Sequence, residues 1–457
     1  MIGQAVLVFG LRGLGALSAL AFQFGVARLL APDLAGEFFL VLSATTILYV
    51  IPVNGMNYTA LRHGAPLVIE GRLGQMAALG RSLIKLAIGN SVILAVVLAI
   101  AFLVSRAWMD MTALISGDGV AVLIVGFSLF ALRALGVDLL RCYGRTAFPT
   151  IALSLLPNGL SGLGVMVCLL GGFEIEFVEL LVIWLAGLFA TVVWTGALVL
   201  RLGALGDDRS TPAPSSPLPP DAVFRNGLPI MLSQVSYQLA WSGGVWLAAL
   251  QLGKVEAATV ALCLRMAELV ALPGSVIAFL GQPVVATSLR FQRPQTADAA
   301  MRSLATLVAL PTGLLLIIVT PIASELLDVI FGPSYASGGP LLVMVLISRW
   351  IDNVGGVGGY AVLALSDHKR VLLSIIVTCG IGFLALTPLL TMSLGLNGIG
   401  IGILAYYIAR SSTMAFTAWK VTGIRTWPVL SKATFHDGAA ALRRQSPSAP
   451  QNRLKTD

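Results

Sequence analysis

The stretch GDDRSTPAPSSPLPPDA (residues 206–222) interrupts a chain that is otherwise almost entirely apolar. A segment so rich in proline and serine does not form a packed core, and it is therefore predicted to be a linker. On both sides of it lie apolar runs of about 20 residues, the length at which a helix crosses a hydrocarbon layer of about 30 Å. The linker thus divides a series of predicted membrane-spanning helices into two groups.

The composition supports this class of protein. Of the 457 residues, 57% are hydrophobic and only 11% are charged, whereas soluble domains carry about 25% charged residues. The first residues, MIGQAVLVFG, enter an apolar segment without a basic region or a small-residue cleavage site. This pattern predicts a retained first span instead of a signal peptide. The fold class predicted is an all-α, polytopic membrane protein.

About twelve spans are predicted, six on each side of the linker. Their approximate bounds are 4–28, 37–60, 82–105, 118–138, 148–171, 178–201, 227–250, 257–285, 302–323, 340–364, 371–393 and 397–419. An even number per half gives both halves the same orientation, as in parallel repeats about an axis along the membrane normal. We therefore predict an N-terminal lobe (1–205), a cytoplasmic linker (206–222), a C-terminal lobe (223–422) and a basic, disordered cytoplasmic tail (423–457).

Basic residues are concentrated in the loops of one side. With the N-terminus in the cytoplasm, the cytoplasmic loops hold Arg62, Arg72, Arg81, Arg141, Arg145, Arg209, Arg225, Arg290, Arg293, Lys369 and Arg370. The opposite loops hold few cations and are marked instead by acids such as Glu174, Glu176 and Glu325. Because cytoplasmic loops are enriched in lysine and arginine, both termini are predicted to be cytoplasmic. The same bias explains the net charge of +8 without nucleic acid as a partner.

Metal and disulfide chemistry have no sequence support. The four cysteines are scattered without a CxxC pair, and the three histidines lie outside the predicted spans and form no ligand cluster. No cofactor or metal site is predicted. Outside the linker and the tail, no loop is long enough for a catalytic or sugar-binding domain, which disfavours a membrane enzyme such as a glycan polymerase or ligase.

Charged residues occur inside the predicted spans, where an ion at the bilayer centre costs roughly 2.5–3.5 kcal/mol. They are five arginines and three acids: Arg12, Arg133, Arg265, Arg349, Arg410, Asp138, Glu268 and Asp352. One interpretation is structural, because Arg265–Glu268 and Arg349–Asp352 have the i,i+3 spacing of helix ion pairs. Asp138 has the same spacing to Arg141, and Arg410, beside two serines, is expected to be structural. Arg12 has no acid within a helical turn, which favours a functional role.

Polar stripes on single helix faces favour a functional interpretation for several of these residues. Helical spacing places the following sets on one face each: Arg349, Asp352, Asn353, Gly356 and Tyr360 in the tenth span; Gln234, Tyr237, Gln238, Trp241 and Ser242 in the seventh; Arg12 and Gln23 in the first. Such stripes either join helices by hydrogen bonds or line a hydrophilic cavity. Their occurrence in both halves favours a shared cavity.

Three motifs, in order along the chain, resemble a known family. They are ARLLAPDLAGEFFL (27–40), LLDVIFGPSYASGGPLLVMVL (326–346) and LGLNGIGIGILAYYI (394–408). The chain resembles the polysaccharide-type flippases for lipid-linked oligosaccharides, in the multidrug/oligosaccharidyl-lipid/polysaccharide (MOP) exporter superfamily. Ala31 and Ala35 depart from the family pattern in a loop. Twelve spans instead of fourteen disfavour a dedicated peptidoglycan-precursor flippase.

The resemblance implies two six-helix lobes in a V, with a central cavity that opens alternately to either side of a bacterial cytoplasmic membrane. It implies an undecaprenyl-pyrophosphate-linked oligosaccharide as the substrate, flipped from the inner to the outer leaflet for surface polysaccharide biosynthesis, with polysaccharide polymerase machinery as possible partners. In this family, arginines on the first helix and on the first two helices of the second lobe hold the pyrophosphate. Arg12 and Arg265 occupy matching helices.

The predicted site combines the resemblance with the stripes. The substrate-binding candidates are Arg12, Arg265, Arg349, Arg133, Gln234, Gln238, Trp241 and Asn54, and the candidates for coupling to a proton or sodium ion are Glu268, Asp352 and Asp138. The nearest alternative is a drug or small-molecule:cation antiporter of the same superfamily, although its cavity would be predominantly acidic. A non-transporting scaffold is the remaining alternative, if every charge is neutralised by a neighbour.

Overall fold

The computed structural model describes residues 2–108, 114–143, 147–173, 175–204, 220–274, 281, 284–285, 288–289, 294–366, 368–429 and 431, and among them it contains helices and no strand. The twelve long helices are α1 (Ile2–Leu29), α2 (Pro32–Leu48), α3 (Leu73–Trp108), α4 (Gly117–Cys142), α5 (Leu156–Gly171), α6 (Phe177–Ala204), α7 (Pro220–Gln251), α8 (Lys254–Ala271), α9 (Pro294–Val319), α10 (Gly339–Ile351), α11 (Lys369–Leu394) and α12 (Leu396–Thr422). Each overlaps one predicted span, so the all-α prediction is confirmed.

Several spans are made of more than one helical segment. The short α-helices are Val50–Val53, Met56–Thr59, Ala65–Ile69, Ala147–Thr150, Ala323–Phe331 and Val357–Leu365; the π-helical turns are Ala60–Gly64, Ile151–Leu155 and Asp352–Gly356; the 3₁₀ turns are Thr320–Ile322 and Pro333–Gly338. The second span breaks after Pro52, where Asn54 and Gly55 both have positive φ (41° and 67°). π-Turns inside helices often mark functional positions, and one of them begins at Asp352.

Ten segments of the described chain are long and apolar enough to cross a membrane. The two long helices that do not meet this criterion are α7 and α8, which carry Gln234 and Gln238, and Arg265 and Glu268, respectively. Both helices pack against α2, and α8 also packs against α10. The polar residues of α7 and α8 therefore have neighbours within the protein. The ten apolar segments identify the chain as a multi-pass membrane protein.

The two halves each form a helical bundle. In the first half, α1 packs on α5, and α4 packs on α3 and α6; in the second, α12 packs on α10 and α11, and α7 packs on α8 and α11. The main contact between the halves is α2, which lies along α7 and α8. One hydrophobic core includes Phe38 and Phe39 of α2 together with Val260 and Leu264 of α8. We call this line of contact the α2 seam.

Two glycines permit the close approach of the halves. A Cβ atom on Gly36 would overlap the backbone carbonyl of Lys254, and a Cβ atom on Gly227 would overlap the carbonyl oxygen of Asn54. The first contact lies at the end of the seam where α1 joins α2, and the second lies at the opposite end, where the second span breaks. Any side chain at either glycine requires the two halves to move apart locally.

The structure modifies two predicted boundaries. The helix α7 begins at Pro220, inside the predicted linker 206–222. Proline suits the first turn of a helix, and residues 205–219 lie outside the described residues. The first part of the predicted disordered tail is ordered: Arg425 binds Asp298 (2.9 and 3.0 Å), and the Val429 amide donates to the Thr306 hydroxyl (2.9 Å). Beyond 431, the tail is outside the described residues.

Candidate functional site

A small cavity of about 20 Å³ lies in the α2 seam. It is lined by Phe39, Leu42, Ser43, Trp241, Ser242, Val245, Ala261, Leu264 and Arg265, and the hydroxyls of Thr46 and Ser242 meet across the seam at 3.2 Å. A volume of this size holds about one water molecule. A substrate therefore reaches these residues only when the two halves separate along α2.

Arg265 and Glu268 form the i,i+3 pair that their spacing predicted. The Arg265 Nη1 atom lies 2.9 and 3.2 Å from the two carboxylate oxygens of Glu268. Their side chains are 25% and 37% exposed, which makes this the more open of the ion pairs within the second half's described spans. The pair is thus formed but accessible, and Arg265 lines the cavity.

A buried cluster of six residues lies inside the second half. We call it the C-lobe cluster; it consists of Arg349 and Asp352 from α10 and the π-turn that follows it, Arg410 and Tyr407 from α12, and Tyr237 and Trp241 from α7. The Arg349 Nη1 atom donates to the hydroxyls of Tyr407 (3.0 Å) and Tyr237 (3.2 Å). Its guanidinium stacks on the Trp241 ring, 3.3 Å from the centroid, in a cation–π arrangement.

The main partner of Asp352 is Arg410 and not its helical neighbour Arg349. The Asp352 Oδ1 atom accepts from Arg410 (2.8 Å) and from the Ser411 hydroxyl (3.1 Å), whereas Arg349 stays 3.9 Å from Oδ2. The local i,i+3 pairing is therefore only secondary. Asp352 is the first residue of the π-turn, and the residues that bind its carboxylate most closely both come from α12.

Sequence reasoning missed Arg410 as a member of the candidate site. Arg410 was expected to be structural, and its ion pair with Asp352 is consistent with that expectation. It is also the second cation of a buried cluster, in which Arg349, Asp352 and Arg410 are 6%, 6% and 5% exposed. The positions of Arg410 and Asp352 are 58 residues apart. No helical periodicity links them, so only the packing of α12 on α10 reveals the pair.

In the first half, Arg133 is buried without a carboxylate. Its guanidinium lies 3.8 Å from the centroid of Phe130, and its only described hydrogen bond is a long one (3.5 Å) to the carbonyl of Leu153. The Phe130 ring packs on Tyr49 (4.8 Å between centroids), and Tyr49 interacts with Gln238 of α7. Arg133 is thereby connected to the second half through two aromatic rings and an amide.

Arg12 also has no acidic partner among the described residues. It is half-buried on α1, its Nε atom has no hydrogen-bond partner, and the charged group that acts on it is another cation, Arg141. Arg141 itself binds Asp138 at 2.7 Å, the pair expected from their spacing. The structure thus agrees with the sequence in leaving Arg12 unneutralised.

The uncharged candidates are divided between the seam and the first half. Asn54 is 1% exposed, and neither its side-chain oxygen nor its nitrogen has a partner. Gln234 and Gln238 are half-buried on consecutive turns of α7. Trp241, a buried member of the C-lobe cluster, also lines the seam cavity. The predicted residues therefore do not form one continuous wall in this conformation, because the seam is closed.

Polar contacts hold the seam at both ends. Where α1 joins α2, Glu37 binds Lys254 (2.9 Å) and the Ser116 amide (2.7 Å), and Arg28 donates to the carbonyls of Val329 and Ile330. At the opposite end, the hydroxyls of Tyr58 and Tyr360 meet at 2.9 Å. Glu37 and Lys254 are 217 residues apart, so nothing in their spacing along the sequence indicates their pairing.

A larger groove of about 310 Å³ lies elsewhere on the second half. It is lined by Ile351, Val354, Gly355, Ser411, Ser412, Ala415, Phe416 and Trp427. Most of these side chains are apolar, and the C-lobe cluster touches the groove through Ser411. The polar and charged groups of the candidate site are therefore in the cluster and at the seam, and not in this groove.

The charge pattern of the candidate site can now be stated. The three acids identified above each have an arginine within 3 Å: Asp138 with Arg141, Glu268 with Arg265 and Asp352 with Arg410. Among the described residues, Arg12, Arg133 and Arg349 have no carboxylate at that distance. Among the residues that the structure describes, no group of three histidines, cysteines or acids could hold a metal ion. Among the eight charged residues identified within the predicted spans, arginines therefore outnumber acids by five to three.

Comparisons with known proteins identify the fold. No protein-family model matches the chain, and no curated protein matches it. A solved structure described as the inward-facing conformation of a multidrug resistance MATE family transporter of the MOP superfamily superposes with a TM-score of 0.66 at 16% identity, covering 97% of this chain and 99% of the other. The outward-facing conformation of such a transporter gives 0.62 at 18% identity, covering 92% and 95%.

A third neighbour is a MOP superfamily transporter from Pyrococcus furiosus Vc1 (DSM3638), described by a reverse polarity of its binding pocket that suggests a different function. Its TM-score is 0.61 at 17% identity, with 92% of this chain and 95% of the other covered. The chain therefore has the two-lobed helical fold of MATE transporters, and identities this low establish the fold alone.

Proposed function

We propose that this protein is a flippase that carries an undecaprenyl-pyrophosphate-linked oligosaccharide from the inner to the outer leaflet of a bacterial cytoplasmic membrane. The observation that carries the proposal is the arginine surplus: Arg12, Arg133 and Arg349 have no acid within 3 Å among the described residues, whereas Asp138, Glu268 and Asp352 each have an arginine. A membrane interior retains such costly charges where they bind a substrate of opposite sign.

The accessible arginines suit a pyrophosphate. A guanidinium binds phosphate oxygens through charge-assisted and often bidentate hydrogen bonds. Arg12 is half-buried with an unused Nε atom, and Arg265 lines the seam cavity with one quarter of its side chain exposed. They lie on α1 and α8, one in each half, so both contribute to binding when the seam opens.

Uncharged groups near the seam suit the sugars. Gln234 and Gln238 offer amides on one face of α7, Trp241 and Ser242 line the cavity, and Asn54 has two unused polar atoms. Amides and hydroxyls replace the water around a glycan, while the lipid chain remains in the bilayer. The orientation proposed, with both termini cytoplasmic, places the α1–α2 end of the seam outside.

A drug or small-molecule:cation antiporter is the second candidate, because two fold neighbours are described as multidrug resistance transporters. Such a protein needs a carboxylate that exchanges a proton or sodium ion. Here Glu268, Asp352 and Asp138 each bind an arginine, which competes with an incoming cation. The reverse pocket polarity described for a third neighbour suggests that polarity differs among proteins of this fold.

Reconstitution in proteoliposomes separates the two candidates. We expect the purified protein to flip a fluorescent undecaprenyl-pyrophosphate-linked oligosaccharide, measured by the protection of the label from an impermeant quencher. Arg12→Ala and Arg265→Ala are expected to lose most of this activity. Arg81→Ala is the matched control, since Arg81 is exposed on α3. Cation-driven accumulation of ethidium without glycan flipping would instead identify the antiporter.

A further inference from the structure

The C-lobe cluster contains two cations and one anion. Arg349 and Arg410 bring two positive charges, and Asp352 brings one negative charge. All three side chains are less than one-tenth exposed. Removing ions from water costs several kcal/mol per ion unless partners compensate, so the remaining positive charge of this cluster requires an explanation.

No other described residue supplies the missing negative charge. Besides Asp352 and the arginines, the ionisable and polar groups that face the cluster are Tyr237 and Trp241 from α7, Cys379 from α11, and Tyr406, Tyr407 and Ser411 from α12. All of them are neutral in their ordinary protonation states. Among the residues that the structure describes, the nearest acid of α8, Glu268, is bound to Arg265.

The hydrogen bonds of the two arginines also indicate that an anionic partner is missing from the cluster. The Nε atoms of Arg349 and Arg410 are both buried and have no partner within the described part of the chain. Their described hydrogen bonds all start from Nη1, to the two tyrosine hydroxyls and to Asp352, respectively. Buried polar groups in proteins nearly always have a partner, and exceptions call for a bound water or ion. Two unpartnered donors on cations indicate an acceptor that carries negative charge.

We propose that the C-lobe cluster binds one monovalent anion, held by donors of Arg349 and Arg410 that have no partner among the residues that the structure describes. The anion brings the net charge of the cluster to zero. Its source is either free chloride or the carboxylate of an acidic sugar on the transported glycan. The second source rests on the function proposed above, whereas binding of chloride does not depend on it.

The cluster's charge count predicts the effect of each substitution on anion binding. Arg349→Gln or Arg410→Gln leaves one cation and one anion, so the need for a bound anion disappears. Asp352→Asn keeps nearly the same shape and leaves two cations, so the bound anion is held more tightly. A site that binds a cation through Asp352 gives the opposite result, because Asp352→Asn removes its ligand.

The experiment measures the thermal unfolding of the purified full-length protein in detergent. Sodium salts are compared at constant ionic strength, with chloride or glucuronate replacing the bulky sulfonate MES. Because a ligand that binds only the folded state stabilises it by mass action, the Tm of the wild-type protein is expected to rise with chloride, glucuronate or both. A response to chloride identifies the free halide as the source, and a response to glucuronate alone identifies a carboxylate.

The variants make the test independent of folding defects. Asp352→Asn is expected to lower the apparent Kd by about tenfold, which corresponds to about 1.4 kcal/mol. Arg349→Gln and Arg410→Gln are expected to abolish the response, Arg349→Lys to retain it, and Arg81→Gln, on the exposed face of α3, to leave it unchanged.

The proposal is overturned if neither the wild-type protein nor Asp352→Asn responds to any of these anions. It is equally overturned if Arg349→Gln and Arg410→Gln respond as the wild type does. If the Tm rises when sodium replaces choline as the cation of the salt, and Asp352→Asn abolishes this rise, the site binds a cation instead. Since no lipid-linked substrate is used, these outcomes are separate from the success or failure of the flipping assay.

Discussion

At the scale of single residues, burial distinguishes two ion pairs that look alike in the sequence. The side chains of Arg265 and Glu268 are 25% and 37% exposed, whereas those of Arg410 and Asp352 are 6% and 9% exposed. Breaking a buried pair leaves an uncompensated charge and costs about 3–5 kcal/mol. An exposed pair contributes up to about 1 kcal/mol.

Arg410→Ala is therefore expected to lower the free energy of unfolding by about 3 kcal/mol. The loss lies at the lower end of the range for buried pairs because Arg349 still balances the charge of Asp352 in this variant, although from a longer distance of 3.9 Å. Arg265→Ala is expected to lower it by about 1 kcal/mol or less. Denaturant unfolding in detergent, followed by tryptophan fluorescence, measures both variants. Equal losses would mean that burial does not distinguish the two pairs.

At the scale of secondary-structure elements, α2 is the contact on which the two halves depend. Its seam is closed at one end by Glu37 with Lys254 and at the other by Tyr58 with Tyr360. The glycines at these ends leave no space for a Cβ atom. The alternating access that the family resemblance implies requires that one end of the seam opens while the other stays closed. A larger side chain at either glycine is therefore expected to bias the equilibrium between the state open at one end and the state open at the other.

Gly36→Ala is expected to open the α1–α2 end of the seam, and Gly227→Ala the opposite end. Ser43→Cys, placed at the seam cavity in a variant without the four native cysteines, reports the change through its reaction with an impermeant maleimide. Labelling is expected to rise from one face of the membrane in the first variant and from the other face in the second.

Gly89→Ala is the matched control for these two substitutions. Gly89 lies in α3 with no atom within 4 Å of the position that its Cβ would occupy, so its substitution is expected to leave labelling unchanged from both faces. If Gly36→Ala and Gly227→Ala increased labelling from the same face, the seam would not be a two-ended contact.

At the scale of the whole molecule, the in-span charges determine which driving force is available. Asp138, Glu268 and Asp352 each bind an arginine, so none of these three carboxylates is free for a coupling cation. Moving one charge through 100 mV is worth about 2.3 kcal/mol. Outward transfer of an anionic substrate from a negative interior is therefore favourable without an ion gradient.

Flipping in proteoliposomes is expected to accelerate when a potassium diffusion potential, set with valinomycin, makes the cytoplasmic face negative. Sodium and proton gradients at zero potential are expected to have no effect on the rate. The assay is the quencher-protection measurement described above. A rate that follows a sodium or proton gradient, and that Asp352→Asn abolishes, would restore Asp352 as a coupling residue.

Much of the fold was predictable because its information is local in the chain. Each long helix overlaps a predicted span, since about 20 apolar residues have a single favourable conformation in a bilayer. The pairs Arg265–Glu268 and Asp138–Arg141 were predictable for the same reason, because residues three apart on a helix are neighbours. The ends of helices were less certain, as the start of α7 at Pro220 illustrates.

The sequence by itself determined that the chain is an all-helical, multi-pass membrane protein with more arginines than acids among the charges within its predicted spans, because hydropathy and charge are properties of each segment alone. Only the tertiary structure decided that Arg410 and not Arg349 is the main partner of Asp352, that Tyr49 reaches Gln238, and that α2 closes the seam. These contacts join residues far apart in the chain. Their distances depend on how whole helices pack, which no periodicity within one helix records.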